Sequence, residues 1–467
     1  MAGTRRRRGP LVTAGAVGVA MALAACGSSS SDSGSSPAAS GAAGGASVSA
    51  DCAPYAEFGK FEGKTVNIFS PIRDDGQKDQ EAAQKKFEQC TGITIKWEGT
   101  GEFETQLPLR IQGGNAPDLA TIPQPGLLGT LVGKNAVKPL PEKLQAVAKE
   151  AYSADWLKYG TVNGTLYAAP LGANVKSFVW YSPATFKENG WQIPQTWADL
   201  LKLTDTIAAS GKMKPWCAGF ESGVATGWPG TDWIEDIMLR TAGPEVYDKW
   251  TTHGIPFNDP SVVAAFDEAG KILKNDKYVN GGYGSSKTIA TTSFQDGGLP
   301  IADGQCAMHR QASFYSGSWE KGTKIAEDGD IFAFYLPPVD PAKGKPVLGG
   351  GEVVAAFNDK PESQAVQAYY MSAQHQSDRA KIGDWISPHK QLKKEDVVTR
   401  GTTDPNPILQ LSVDILQDPK AVFRFDGSDL MPSAVGAGTF WKGMTKWVSG
   451  ADTKAVTDEI EASWPKS

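Results

Sequence analysis

Residues 64–97 read KTVNIFSPIRDDGQKDQEAAQKKFEQCTGITIKW, and the fold is decided there. Lys64-Thr-Val-Asn-Ile-Phe69 is a β-branched and aromatic run of strand length. A polar loop over residues 70–76 follows, then a helical stretch over 77–89 and a second strand over 93–97. A further helical stretch, 102–111, leads to Pro117-Asp118-Leu-Ala-Thr-Ile122, a short apolar run closed by Pro123. Strands alternating with helices at this spacing form βαβ units, so the class is α/β with a mainly parallel sheet.

The same alternation continues downstream. Residues 166–170 and 178–181 read as extended segments. After Thr196, a plausible N-cap, Trp197, Leu200, Leu201, Leu203 and Ile207 recur at helical spacing. Helices are expected at 233–242, 262–275, 361–374, 438–448 and 455–463, and strands at 306–308, 331–336 and 353–357. No internal repeat is present.

Upstream, Arg5, Arg6, Arg7 and Arg8 precede an apolar run over 11–25 and then Leu23-Ala-Ala-Cys26-Gly27. This reads as a signal peptide, residues 1–25, ending in a lipobox, with Cys26 as the lipidated first residue. The apolar run is shorter than the roughly 20 residues that span a bilayer. Residues 26–50 are almost entirely Ser, Ala and Gly after the cysteine and form a flexible tether. Removing the four arginines with the signal peptide takes the formal charge from −6 to −10. An acidic body lacks the basic footprint that nucleic acid requires. Its roughly 415 residues exceed the usual size of one core, which implies two lobes.

Four cysteines remain: Cys52, Cys90, Cys217 and Cys306. An even number in an oxidising compartment points to two disulfides. Of the three possible pairings, Cys52 with Cys90 and Cys217 with Cys306 is favoured, because the first two fall in one apparent lobe. A metal site is not expected, since His253, His309, His375 and His389 show no ligand spacing with the cysteines.

Several short motifs, in order, resemble one family. They are Gly114-Asn-Ala-Pro-Asp118, Asn163-Gly-Thr-Leu-Tyr-Ala-Ala-Pro170, Trp180-Tyr-Ser-Pro183 with Phe186 and Gly190, and Pro194-Gln-Thr-Trp197. Gly304-Gln-Cys-Ala-Met308, Gly349-Gly-Gly351 and Phe440-Trp441 follow. Their order behind a lipobox is similar to that of carbohydrate-type extracellular solute-binding proteins of ATP-binding cassette importers, such as maltose and α-glucoside binders. Ser182 and Pro183 depart from the pattern, where many relatives carry an Asn and a basic residue after the Tyr. The resemblance implies a type II periplasmic-binding-protein fold: residues 51–175 plus 348–388 as one lobe, 176–347 plus 389–467 as the other. The crossings would fall near residues 173–177, 348–351 and 387–390. It also implies a sugar held between the lobes, a membrane permease as partner, a monomer on the outer face of the cytoplasmic membrane, and no cofactor.

A pyranose offers an apolar face and a rim of hydroxyls, so its site needs aromatic platforms and charged or amide side chains. Most of the fourteen tryptophans will be core; Trp197, Trp250, Trp447 and Trp464 sit in helical apolar patterns and are assigned to packing. Trp228, in the loop-like Gly227-Trp-Pro-Gly-Thr-Asp-Trp233, is a candidate platform, with Asp232 beside it as a rim residue or a helix N-cap. Where relatives place another platform stands His309-Arg-Gln-Ala-Ser-Phe314, nominating Gln311, Ser313 and Phe314, with Trp319 as the alternative aromatic. Trp441 matches the family's C-terminal platform. Rim candidates are Asp74 and Asp75 after the first strand, Gln124 after the third, Asn174 and Lys176 at the first crossing, and Gly350, Gly351 and Glu352 at the second. Ligands of open α/β sheets collect beyond the carboxyl ends of strands, where these loops fall.

Two alternatives compete with this reading. A glycosidase needs two carboxylates across a cleft, and 52 acids allow such a pair, but no hydrolase motif marks the chain. Gly59-Lys-Phe-Glu-Gly-Lys-Thr65 falls one residue short of a P-loop and precedes its strand. A binder of peptide or metal fits the aromatic loops and sparse histidines less well. The reading is therefore a binding protein and not an enzyme.

Overall fold

The strand–helix alternation is realised in two five-stranded sheets in the computed structural model, which describes residues 50–466 apart from Tyr283. The signal peptide, Cys26 and all but the last residue of the tether lie outside the described residues. In the first sheet the strands run in the order Thr94–Gly99, Thr65–Ser70, Leu119–Ile122, Val353–Ala356, Ala168–Pro170. The first three are parallel, and Val353–Ala356 is antiparallel to both its neighbours. The second sheet runs Val279–Asn280, Lys214–Cys217, Cys306–Arg310, Phe178–Tyr181, Phe332–Tyr335, with Phe178–Tyr181 reversed between its neighbours. Leu119–Ile122, Phe178–Tyr181 and Val353–Ala356 are buried at every position, as strands covered on both faces must be.

Each sheet has its own core. Phe87, Ile95, Val66 and Tyr369 pack on one face of the first and Phe103, Leu107, Leu128 and Ala355 on the other. A larger cluster including Trp180, Trp216, Trp250 and Trp447 surrounds the second. Trp197, Trp250 and Trp447 are buried, as read from their spacing. Trp464 is partly buried, with His253 stacked on it at 4.2 Å.

Local chemistry sets the helix ends. Thr196 and Asp199 form a reciprocal capping box at the start of Trp197–Ser210, and Gly211 closes that helix with φ 66°. Two helices begin earlier than the sequence pattern implied. Asp74 and Asp75, expected in a loop, are the first residues of Asp74–Thr91, where acidic groups complement the helix dipole. Trp228–Thr241 includes the stretch read as a loop, so Asp232 lies inside the helix and Gly227 is the N-cap. The expected helix 361–374 breaks into Pro361–Tyr370 and Ala373–Ala380, the second capped by Ser372. At the C-terminus a π-helical stretch, Ala434–Phe440, feeds Trp441–Val448.

Three chain segments lie side by side between the sheets. Asn174–Val175 pairs antiparallel with Lys345–Gly350, Gly350 facing Asn174 and Gly349 facing Val175. Ala173 donates its N–H to the Ile386 carbonyl at 2.9 Å. Among the described residues no helix is long and apolar enough to cross a membrane.

The disulfides are Cys52–Cys90 and Cys217–Cys306, with Cα separations of 5.3 and 5.7 Å. The first ties the N-terminal turn to helix Asp74–Thr91; the second joins neighbouring strands of the second sheet. They close spans of 38 and 89 residues, for which chain entropy gives about 4 kcal/mol or slightly more each. Replacing Cys217 and Cys306 together by serine is expected to cost about 2–5 kcal/mol, read as a lower denaturant midpoint. A change under about 1 kcal/mol would mean the bridge contributes little.

Candidate ligand-binding site

The loops at the strand ends surround a cavity of about 590 Å³. Eleven of the sequence-nominated residues line it: Asp74, Asp75, Gln124, Asn174, Lys176, Trp228, Phe314, Gly350, Gly351, Glu352 and Trp441.

One wall is aromatic. Trp228 opens its helix and meets Phe294 at 5.1 Å and Phe314 at 6.1 Å between ring centroids. Phe314 is 38% exposed, unusual for a large apolar side chain in this protein. Trp441 donates its indole N–H to Ser428 Oγ at 3.2 Å. Gly227 takes φ 113°, and a Cβ there would overlap the Trp441 carbonyl, so glycine is what lets the two tryptophan-bearing segments meet.

Beside this wall lies a buried charge cluster. Lys176 Nζ donates to Asp232 at 3.0 Å and also to Asp426, and it stands 5.2 Å from the Trp228 ring centroid. Arg310 reaches Asp236 at 2.7 Å and Asp232 at 3.4 Å. Glu235 accepts the N–H groups of Gly427 and Ser428 at 2.8 and 3.0 Å. Burial pushes the Asp232 and Glu235 carboxyls up, against the pull of Lys176. For Asp426 burial acts upward too, but the Lys176 charge together with hydrogen bonds from Lys176, Asp232 and the Asp429 N–H holds that carboxyl below its usual range. Asp232, Glu235 and Asp426 bring carboxylate oxygens within 4.8 Å of one another, but the Lys176 ammonium already bonds Asp232 and Asp426.

Much of the remaining lining is polar. Gln124 donates to Glu104 at 3.0 Å, while its own carbonyl oxygen is buried without a partner. Asn174 Oδ1 is buried and unpartnered as well. Asp75 is held below the usual range by Lys78. Gly126, at the start of helix Pro125–Gly133, lies against a residue of the second sheet's core cluster: a Cβ there would overlap the Met431 carbonyl oxygen.

Four nominated residues do not reach the cavity. Asp232 is fully buried behind Lys176. Gln311 is buried, its side chain accepting the Ala312 N–H at 2.8 Å. Ser313 accepts the Val175 N–H at 3.2 Å and lines only a smaller side pocket. Trp319 packs against Trp180 and Tyr315 in the core. Conversely, Arg73, Glu104, Phe294, Asp426 and Asp429 line the cavity without having been singled out. Asp426 and Asp429 carried a local signal, Asp426 being the N-cap of Gly427–Leu430. Phe294 carried none.

Comparison with known proteins identifies the architecture. The family described as bacterial extracellular solute-binding protein matches residues 70–371. The chain is 40% identical over 422 residues to the osmoprotective compounds-binding protein GgtB of Synechocystis, covering 90% of this chain and 97% of that one. It is 37% identical over 415 residues to the alpha-glucosides-binding periplasmic protein AglE of Rhizobium meliloti, covering 86% and 87%. The solved structure of the bacterial solute receptor AcbH superposes with TM-score 0.72 at 16% identity, covering 85% of this chain and 98% of that one, which establishes the shared fold. The chain belongs to the bacterial extracellular solute-binding protein family, whose members are two-lobed binders and not enzymes.

Proposed function

We propose that the protein captures a carbohydrate, an α-glucoside of two or a few units, and delivers it to the permease of an ATP-binding cassette importer. The observation that carries this reading is that four aromatic side chains, Trp228, Phe294, Phe314 and Trp441, line one cavity together with Gln124, Asn174 and several carboxylates. Ring faces stack on the aromatics and hydroxyls meet the amides and acids. The name of AglE supports the α-glucoside class, and that of GgtB adds osmoprotective compounds to the candidates.

In this reading residues 51–175 with 348–388 form one lobe and 176–347 with 389–467 the other. They close on the ligand by bending the three linking segments. Cys26 carries a lipid that holds the monomer at the outer face of the membrane.

A thermal-shift screen tests the reading, because a ligand that binds only the folded state raises the melting temperature. Glucose, maltose, trehalose, sucrose, longer maltodextrins and other oligosaccharides form the panel. A rise with an α-glucoside is the expected outcome; a flat response throughout would remove the α-glucoside assignment. For the ligand so found, Trp228→Ala is expected to cost about 2 kcal/mol, about 30-fold in Kd by calorimetry. An unchanged Kd would show that Trp228 is not a platform.

A further inference from the structure

Asp429 lines the main cavity from the short helix Gly427–Leu430 and is 8% exposed. Its backbone N–H donates to Asp426 at 2.9 Å, but among the described residues no donor reaches its carboxyl group. Three more buried carboxyls stand around it: Asp426 caps its helix, and helix Trp228–Thr241 supplies Asp232 and Glu235. Each of these has donors for its charge. Asp426 and Asp232 share Lys176, Asp232 also meets Arg310, and Glu235 accepts two backbone N–H groups. Lys176 and Arg310 are thereby spent, Arg310 on Asp236 as well. Glu104 adds a further acid to the cavity from helix Phe103–Gln112. The other elements packed on Gly427–Leu430 bring no cation. Helix Pro125–Gly133 and the stretch Ala434–Phe440 carry no charged side chain, and the charged residues of helix Pro244–Thr251 are exposed. Tyr247 of that helix bonds the Phe425 carbonyl, and Arg424 of strand Ala421–Phe425 bonds Asp248.

We infer that Asp429 keeps its proton at neutral pH and acts as a specificity-determining residue, donating its O–H to an ether oxygen of the bound glycoside. Buried like charges that share so few cations cannot all ionise, and the proton settles on the carboxyl whose charged form nothing holds. Burial first, and Asp426 second, push the Asp429 carboxyl well above its usual range, against the pull of Lys176. A neutral carboxyl offers what its ionised neighbours cannot, because a carboxylate only accepts while a protonated one also donates. The ring and glycosidic oxygens of a sugar only accept, and the Trp441 indole N–H is already given to Ser428. Asp429 therefore reads the linkage oxygens of a ligand, whereas the carboxylates read its hydroxyls.

The inference rests on the sugar-binding reading, and its test separates the two. Wild type, Asp429→Asn and Asp429→Ala are titrated calorimetrically with maltose and trehalose from about pH 6 to about pH 9, and their ligand-free melting is followed over the same span and down to about pH 5. In wild type the Kd should rise about ten-fold across the span as the proton is lost. Asparagine has the shape of the protonated acid and keeps a donor, so its Kd should stay within about three-fold of the wild-type value at pH 6 and no longer vary with pH. Alanine removes the donor and should cost about ten-fold. A flat wild-type profile, a pH dependence that persists in Asp429→Asn, or a loss of about ten-fold in that variant at pH 6 would overturn the protonated donor and leave the sugar reading standing. If neither sugar binds, the α-glucoside reading fails and the melting arm decides. A carboxyl raised in the fold contributes stability that is fully present below its unfolded value and is lost as pH rises through the raised one. Asp429→Asn should therefore melt above wild type by a margin that widens about 2 °C or more from pH 5 to pH 8. Such widening supports the protonated Asp429, and parallel melting curves overturn it.

Discussion

Lys176→Met should lower the unfolding free energy by about 3–5 kcal/mol and abolish ligand binding. Lys176 is the cation between Asp232 and Asp426, and all three side chains are almost completely removed from solvent. Methionine fills much of the same volume, so the cost is electrostatic: two buried carboxyls lose their counter-charge. One must then take up a proton or draw in water, and either response displaces Asp426 from its contacts with Ser428 and Asp429. Ser428 in turn accepts the Trp441 indole N–H, so the aromatic wall moves with the charge. The double variant Lys176→Met/Asp426→Asn should regain much of the stability, because the charge left unpaired has gone. Denaturant unfolding of both variants checks this. A single-variant loss below about 1 kcal/mol, or no recovery in the double, would show that the cluster is solvated and independent of the fold.

Gly126→Ala is expected to weaken ligand binding by about 100-fold or more, with the ligand-free melting temperature unchanged. The added methyl group would overlap the Met431 carbonyl oxygen; Gly126 opens a helix packed on the first sheet, whereas Met431 belongs to the core cluster of the second. Backbone cannot yield as a flexible side chain does, so the conflict is relieved only by parting the halves. If the lobes close on ligand, the variant pays for the overlap only when bound. Small-angle scattering at saturating ligand should then retain the radius of gyration of the free protein, while wild type contracts. A variant that binds normally would exclude Gly126 from the closure contact. One that melts far lower without ligand would make the contact part of the fold.

Much of the architecture could be read from residues 64–122, because strand and helix periods are local properties. The capping box at Thr196 was equally local, and so legible. The errors at Asp74 and Trp228 share a cause. Asp74-Asp-Gly76 and Trp228-Pro-Gly230 look like turns, although acidic residues and proline also favour a helix's first turn. At Asp74 the backbone pays for that start with φ 55°. Trp319 and Gln311 were nominated by position relative to a strand, and side-chain direction, which decides between core and cavity, is not encoded by position. The Lys176–Asp426 pair joins residues 250 positions apart, and Phe294 reaches Trp228 across 66 positions of chain. No local pattern announces such partners; only the packed sheets bring them together.

The same separation constrains how the fold is completed. Lys176, Asp232 and Arg310 all precede Asp426 and Trp441 along the chain. Until those last residues are in place Lys176 lacks one of its two carboxylates, and burying it costs more than leaving it wet. The core around the second sheet is therefore closed by the C-terminal segment, and a chain cut short of Asp426 has no finished cavity.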